Sequence, residues 1–198
     1  MTAELVEDLT LRMPLSRGWT WTDLQQLPDD DGHRYEIVDG SLHVSPGPSR
    51  PHQVAAGRIR DLLLSAAPDD VEVLETVDVD MGDSVFEPDV VVMPAAAAYS
   101  PAGPLEPGQV LLVVEVVSPS SRRMDRLVKP SALAEAGVPA YWRVELDGPG
   151  APLVVVYALD GKVYREVGSV SAEESVVVDA PFPVELRPAE LAGPRRRG

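Results

Sequence analysis

A chain of 198 residues, 44% apolar and 25% charged, has the size and composition of one globular domain that buries roughly 70% of its unfolded surface. It has no cysteine, which excludes disulfides and thiolate metal sites and leaves oxygen-ligated ions such as Mg²⁺ or Mn²⁺. A net charge of -15 excludes a protein that coats nucleic acid nonspecifically, because phosphate neutralisation supplies most of that affinity; any nucleic acid is expected to bind weakly, through a local basic patch.

In chain order, residues 1–18 are acidic and aperiodic, and a loosely held arm is expected there. One domain is expected over 19–190, followed by a disordered basic tail over 191–198 that includes Arg195, Arg196 and Arg197. Trp19 to Leu27 reads as a short helix with Thr20 or Thr22 as its N-cap, and Pro28 to Gly32 as a polar loop. Tyr35 to Val44 reads as a β-hairpin turning at Asp39-Gly40, since both turn residues tolerate positive φ. His52 to Ala66 carries a helical stripe of Ala55, Ile59, Leu62, Leu63 and Ala66. Val71, Val73, Val77 and Val79 alternate with polar residues as in a strand, and Pro94 to Gly108 reads as a surface loop. Ser118 to Ser121 starts a helix over Arg122 to Ala136 that is capped by Gly137, with Pro130 marking its first turn or a kink. Tyr141 to Leu146, Leu153 to Leu159 and Lys162 to Val167 are further strands. No apolar run approaches about 18 residues, so no membrane segment is expected, and without a signal pattern the cytoplasm is the expected location.

Two apolar runs carry the chemistry. Phe86 to Met93 and Val110 to Val117 are rich in β-branched residues, and each holds carboxylates that are costly to bury without a cationic partner. Asp89 and Glu115, on strands able to pair, suggest a shared divalent cation with the Val116 backbone carbonyl as a third oxygen. Lys129, in the following helix, is placed to reach back to Glu115, with Arg122, Arg123 and Arg126 around it; His52 is a further residue able to line the cleft. Glu36 is a third carboxylate, able to complete a metal shell or accept a proton. Asp125 reads as part of a solvated helix face.

In their order, Tyr35-Glu36-Ile37-Val38-Asp39-Gly40, Glu87-Pro88-Asp89-Val90 and Val113-Val114-Glu115-Val116-Val117-Ser118-Pro119-Ser120 resemble the Uma2 family of endonuclease-like proteins. Asp125 to Lys129 and Ala136-Gly137-Val138-Pro139-Ala140-Tyr141-Trp142 extend the resemblance. That family is itself similar to the PD-(D/E)XK restriction-endonuclease-like superfamily. The resemblance implies an α/β (α+β) fold: a restriction-endonuclease-like core with a mixed central sheet flanked by helices, an extra N-terminal hairpin and C-terminal strands. It implies a Mg²⁺- or Mn²⁺-dependent endonuclease of nucleic acid, DNA foremost, working as a homodimer. Asp89 and Glu115 would be the metal pair, Glu36 the N-terminal acid and Lys129 the catalytic lysine, moved from strand to helix. Two positions depart from the pattern: Val117 stands where the superfamily has its lysine, and Leu133 where the family usually has a tyrosine. The same residues also admit a degenerate nuclease fold kept for regulation or interaction, and a metal-dependent phosphoesterase of a small substrate.

Overall fold

The computed structural model describes residues 17–28, 32–100 and 103–194, so most of the expected arm, the turn at 29–31 and the arginines at 195–197 lie outside the described residues. From the N-terminus, α1 (Trp21–Leu24) leads to a hairpin of β1 (His33–Val38) and β2 (Ser41–Pro46), then to α2 (Arg50–Ala66). Next come β3 (Val71–Leu74), β4 (Val79–Asp80), β5 (Val85–Phe86), β6 (Val90–Pro94), α3 (Ala95–Ala98) and β7 (Leu112–Val117). A π-helical turn (Met124–Val128) runs into α4 (Lys129–Ala136). The chain then forms β8 (Ala140–Glu145), β9 (Leu153–Asp160), β10 (Val163–Val170), and a last pair, β11 (Val176–Val178) and β12 (Val184–Leu186).

The central sheet has six strands in the order β10-β9-β8-β7-β6-β3. It is mixed: β7 and β8 are parallel, whereas β6 and β7, and β8 and β9, are antiparallel. A parallel pair needs a crossover over one face, and α4 supplies it. Strand alternation then separates two cores. Val90, Val92, Val114 and Val116 pack under the Ala55, Ile59 and Leu63 stripe of α2, while Val91, Met93 and Val113 pack with Leu133 of α4 and with Tyr141. Every residue of β7 is buried, so a polar side chain on it must find its partner inside the protein.

A smaller sheet, in the order β2-β1-β5-β4, sits beside the first. Its hairpin turns at Asp39 (φ 48°) and Gly40 (φ 73°), as the Asp-Gly pair predicts. The turn is anchored by Gly40 N–H donating to Asp83 O at 2.6 Å and by Asp39 N–H donating to Ser84 Oγ at 3.0 Å.

Two apolar runs expected as single strands are each divided between the sheets. Phe86 to Met93 gives β5 to the small sheet and β6 to the large one, because Pro88 has no N–H to continue a ladder. Val71 to Val79 gives β3 and β4, separated where Thr76 takes φ 54°. The segment 94–108 is not all loop, since it contains α3 and a 3₁₀ turn at Pro107–Gln109. The first helix is shorter than the pattern suggests; Thr20 is its N-cap, donating its N–H and O–H to Asp23 Oδ2 at 2.9 and 2.7 Å. Leu191, placed above in the C-terminal tail, is instead buried in the α2-side core, and Arg58 holds the carbonyls of Glu190 and Gly193 at 3.0 and 2.9 Å.

Gly40 also meets Gly18, whose Cα lies 3.4 Å from where a Gly40 Cβ would stand. Gly40→Ala is expected to lower stability by about 1–2 kcal/mol, from the left-handed backbone at φ 73°, as read by urea unfolding.

Candidate active site

The site lies where β6 begins and β7 ends. The register of β6 and β7 ends at Val90 paired with Val114, and Asp89 and Glu115 are the next residues of the two chains beyond that pair. Glu115 shares the face of Val113, which packs against α4, and so it points toward Lys129. The Lys129 ammonium lies 2.8 Å from Glu115 Oε1 and 2.8 Å from Glu36 Oε1, with Asp125 Oδ1 at 3.9 Å and the Phe86 ring centroid at 5.7 Å. Glu36 Oε1 also accepts the Glu87 N–H at 3.1 Å. Hairpin, sheet and helix therefore meet at one buried ammonium, which brings Glu36, Glu115 and Lys129 into direct contact.

Lys129 opens α4, and the π-helical turn before it explains how it gets there. Pro130, the second residue of α4, cannot donate to the preceding turn and its ring crowds the carbonyl of Arg126. The wider turn at Met124–Val128 relieves that crowding, and Asp125, four residues before Lys129, lies beside it on the same face. Asp125 is buried, not solvated as its charged neighbours suggest. Tyr141 Oη donates to the Asp125 carbonyl at 2.6 Å and pins the turn from β8.

Asp89 has other partners. Its Oδ1 accepts from Arg34 Nη2 at 2.9 Å; its Oδ2 accepts from His52 Nε2 at 3.0 Å and from the Val116 N–H at 2.8 Å. A residue's N–H and C=O project to the same side of a strand, so the Val116 carbonyl shares the side on which Asp89 lies. His52 comes from the first turn of α2, and its Nδ1 is buried without a hydrogen-bond partner. Arg34 also has its Nε 3.4 Å from Glu87 Oε1.

Arg34 and Glu87 belong to the site although their motifs did not single them out. Arg34 lies two residues before Glu36 on β1, hence on the same face of the strand, and that period-two relation was the available signal. Of the arginines expected around the lysine, Arg126 is engaged by Glu145 in a two-pronged contact at 2.9 and 2.8 Å, while Arg122 and Arg123 are exposed. Ser118 and Ser121 bond chiefly to each other, with Ser121 Oγ accepting the Ser118 N–H at 3.0 Å. Leu133, at the family's tyrosine position, is core.

Glu36, Asp89, Glu115, Asp125 and Lys129 are all buried, and Arg34 is the other cation in direct contact with the cluster. Acid outnumbers base, and the titration behaviour follows. Burial, reinforced by Asp89, Asp125 and Glu36 and opposed by Lys129, pushes Glu115 well above the usual carboxylate range. Burial works against the Lys129 cation, but Glu115, Glu36 and Asp125 outweigh it and hold the ammonium above its ordinary value. Burial would raise Asp89 too, yet the His52 hydrogen bond and the Arg34 charge bring it down to about 2.

Oxygen donors, an excess of buried acid and a backbone carbonyl on the same side suit a hard divalent cation. Among the described residues no three His, Cys, Asp or Glu side chains form a metal-holding group. Two clefts, of about 640 and 680 Å³, flank the cluster; Arg34 and Glu87 line one, and His52, Arg50 and Ser118 the other.

Asp125 supplies a test of the electrostatics. Burial, opposed by Lys129 and by a Ser121 hydrogen bond, raises it from 3.8 to about 6. Between about pH 4 and 6 the folded chain keeps a proton that the unfolded chain has released, so this group's effect on stability is most favourable below about pH 4 and declines as pH rises through 6, by about 3 kcal/mol at most. Asp89 behaves oppositely, its contribution being present above about pH 4 and lost as pH falls through 2. Asp125→Asn is expected to flatten the decline of Tm between about pH 4 and 6.5 in thermal melts.

Comparison with known proteins adds three findings. A family model, Uma2, described as "Putative restriction endonuclease", matches residues 21–192. Among solved structures, the chain is similar to a "putative nuclease belonging to DUF820" from Anabaena variabilis, with a TM-score of 0.63 at 15% identity, over 87% of this chain and 97% of that one. A search of curated proteins finds no match.

Proposed function

This chain belongs to the Uma2 family, and on that premise we propose that it is a Mg²⁺- or Mn²⁺-dependent endonuclease that hydrolyses phosphodiester bonds of nucleic acid, DNA foremost. The observation that carries the reading is the buried Lys129 ammonium 2.8 Å from Glu115, at the strand end where the Val116 N–H donates to Asp89 at 2.8 Å. Asp89, Glu115 and the Val116 carbonyl would hold the cation. A divalent ion there adds polarisation of the scissile phosphate and activation of attacking water.

The chain's own residues do the rest. Lys129 keeps its charge in a buried setting and directs it at the negative charge that develops on the phosphoryl oxygens, where a preorganised cation is worth far more than in water. Glu36 holds Lys129 from the side opposite Glu115 and is itself fixed by the Glu87 N–H, so it acts chiefly by positioning the lysine. His52 orients Asp89 from α2. Exposed Arg122 and Arg123 are the cations free to meet backbone phosphates, whereas Arg126 is committed to Glu145. The small number of such cations beside a net charge of -15 fits weak, strongly salt-dependent binding. Cutting both strands calls for two sites, and a homodimer in the cytoplasm is part of the proposal. Among the described residues no helix is long and apolar enough to cross a membrane.

The engagement of both Asp89 oxygens by Arg34, His52 and Val116 favours a second reading, a nuclease fold kept for interaction alone.

Calorimetry with Mn²⁺ and plasmid nicking on the same samples separate the two. Wild type is expected to bind and nick, and Asp89→Ala and Glu115→Ala to lose both. A wild type that binds no Mn²⁺, with or without DNA, would sink the nuclease reading in favour of the second. Lys129→Met is expected to keep Mn²⁺ binding while nicking falls by about 10²-fold or more. Equal loss of binding and nicking would instead make the lysine a purely structural pair.

A further inference from the structure

Arg34 occupies a position that the proposed chemistry does not use. It comes from the hairpin, not from the sheet that carries Asp89 and Glu115, and it reaches across to Asp89 Oδ1 at 2.9 Å. It lines the 640 Å³ cleft together with Glu87, while Asp89 is buried behind it. A guanidinium on a carboxylate offers the same charge compensation that a divalent cation would. The same side chain has a second carboxylate within reach, since its Nε is 3.4 Å from Glu87 Oε1, and Glu87 is the more exposed of the two acids.

We propose that Arg34 is an internal competitor of the divalent cation at Asp89, and that it yields the site by exchanging Asp89 for Glu87. The inference rests on the nuclease reading, because it takes Asp89 to be a metal ligand. It assigns Arg34 a positioning role, setting how tightly the cation is held, and assigns Glu87 the role of receiving the displaced guanidinium. Both carboxylates then stay compensated throughout: Arg34 meets Asp89 and Glu87 together in this structure, and it keeps Glu87 alone when the cation takes Asp89.

The test is a double-mutant cycle read by Mn²⁺ calorimetry and by thermal melts with EDTA or Mn²⁺. Arg34→Gln is expected to tighten Mn²⁺ binding by about tenfold or more, to lower Tm in EDTA, and to recover that loss when Mn²⁺ is added. Glu87→Gln is expected to weaken Mn²⁺ binding, and the double variant to behave like Arg34→Gln alone. If Arg34→Gln does not fold, Arg34→Lys provides the same comparison with a smaller tightening expected. A wild type that binds Mn²⁺, with Arg34 variants that bind it equally or more weakly, would overturn this role and leave the nuclease reading intact. Absence of Mn²⁺ binding in wild type and variants alike would remove both. Binding by Arg34→Gln but not by wild type would be the strongest support.

Discussion

Everything in the site depends on one buried ammonium. Lys129 bridges Glu36 of the hairpin and Glu115 of the central sheet, each at 2.8 Å, from the first position of α4. An ion set so deep is costly to desolvate and is tolerated only because two carboxylates meet it directly. The contact is therefore both a structural clasp between two sheets and a source of focused positive charge. Removing either acid would leave the other parts of the clasp unmatched, so the hairpin's position and the electrostatics of the sheet end are not separable.

Around that clasp the protein accumulates more acid than base, and resolves the excess in two different ways. Asp89 is kept ionised by hydrogen bonds and by Arg34, whereas Glu115 and Asp125 are pushed toward holding protons. Neighbouring carboxylates with diverging affinities for protons arise here from their different partners, since Arg34 and His52 meet Asp89 while burial dominates at Glu115 and Asp125. The net charge of the whole chain works in the opposite sense for any phosphate polymer, whereas Arg122 and Arg123 beside the lysine's helix are locally positive.

Much of this was legible in the sequence, for reasons that can be stated residue by residue. Asp39-Gly40 declares its hairpin because few pairs accept two positive φ values, and Asp89 and Glu115 declare themselves because acids interrupting β-branched runs need a purpose. The division of the Phe86 to Met93 run was written in Pro88, but choosing which half joins which sheet requires partners far along the chain. Arg34 was hidden because its partner lies 55 residues away, and a lone arginine on a hairpin looks like any solvated one. Asp125 was misjudged because charged neighbours surround it, although its spacing of four from Lys129 and eight from Leu133 puts all three on one helix face. The membership of Leu191 in the core follows from the last strand pair, whose short valine-rich segments carry little signal of their own.

The π-helical turn has a further implication for how this site came to differ from one with its lysine on the strand. A π turn holds one residue more than the α turn it replaces, and each helical residue advances the phase by about 100°. The extra residue at Met124–Val128 thus works as a phase adjustment between Arg122–Arg123 and everything from Lys129 onward. Losing one residue there would leave α4 seated in its core through Leu133 and Ala134 while swinging the exposed arginines about a quarter turn around the axis. The face offered to a polymer and the chemistry beneath it can therefore drift separately in evolution, by single insertions and deletions that leave the acids of the sheet in place.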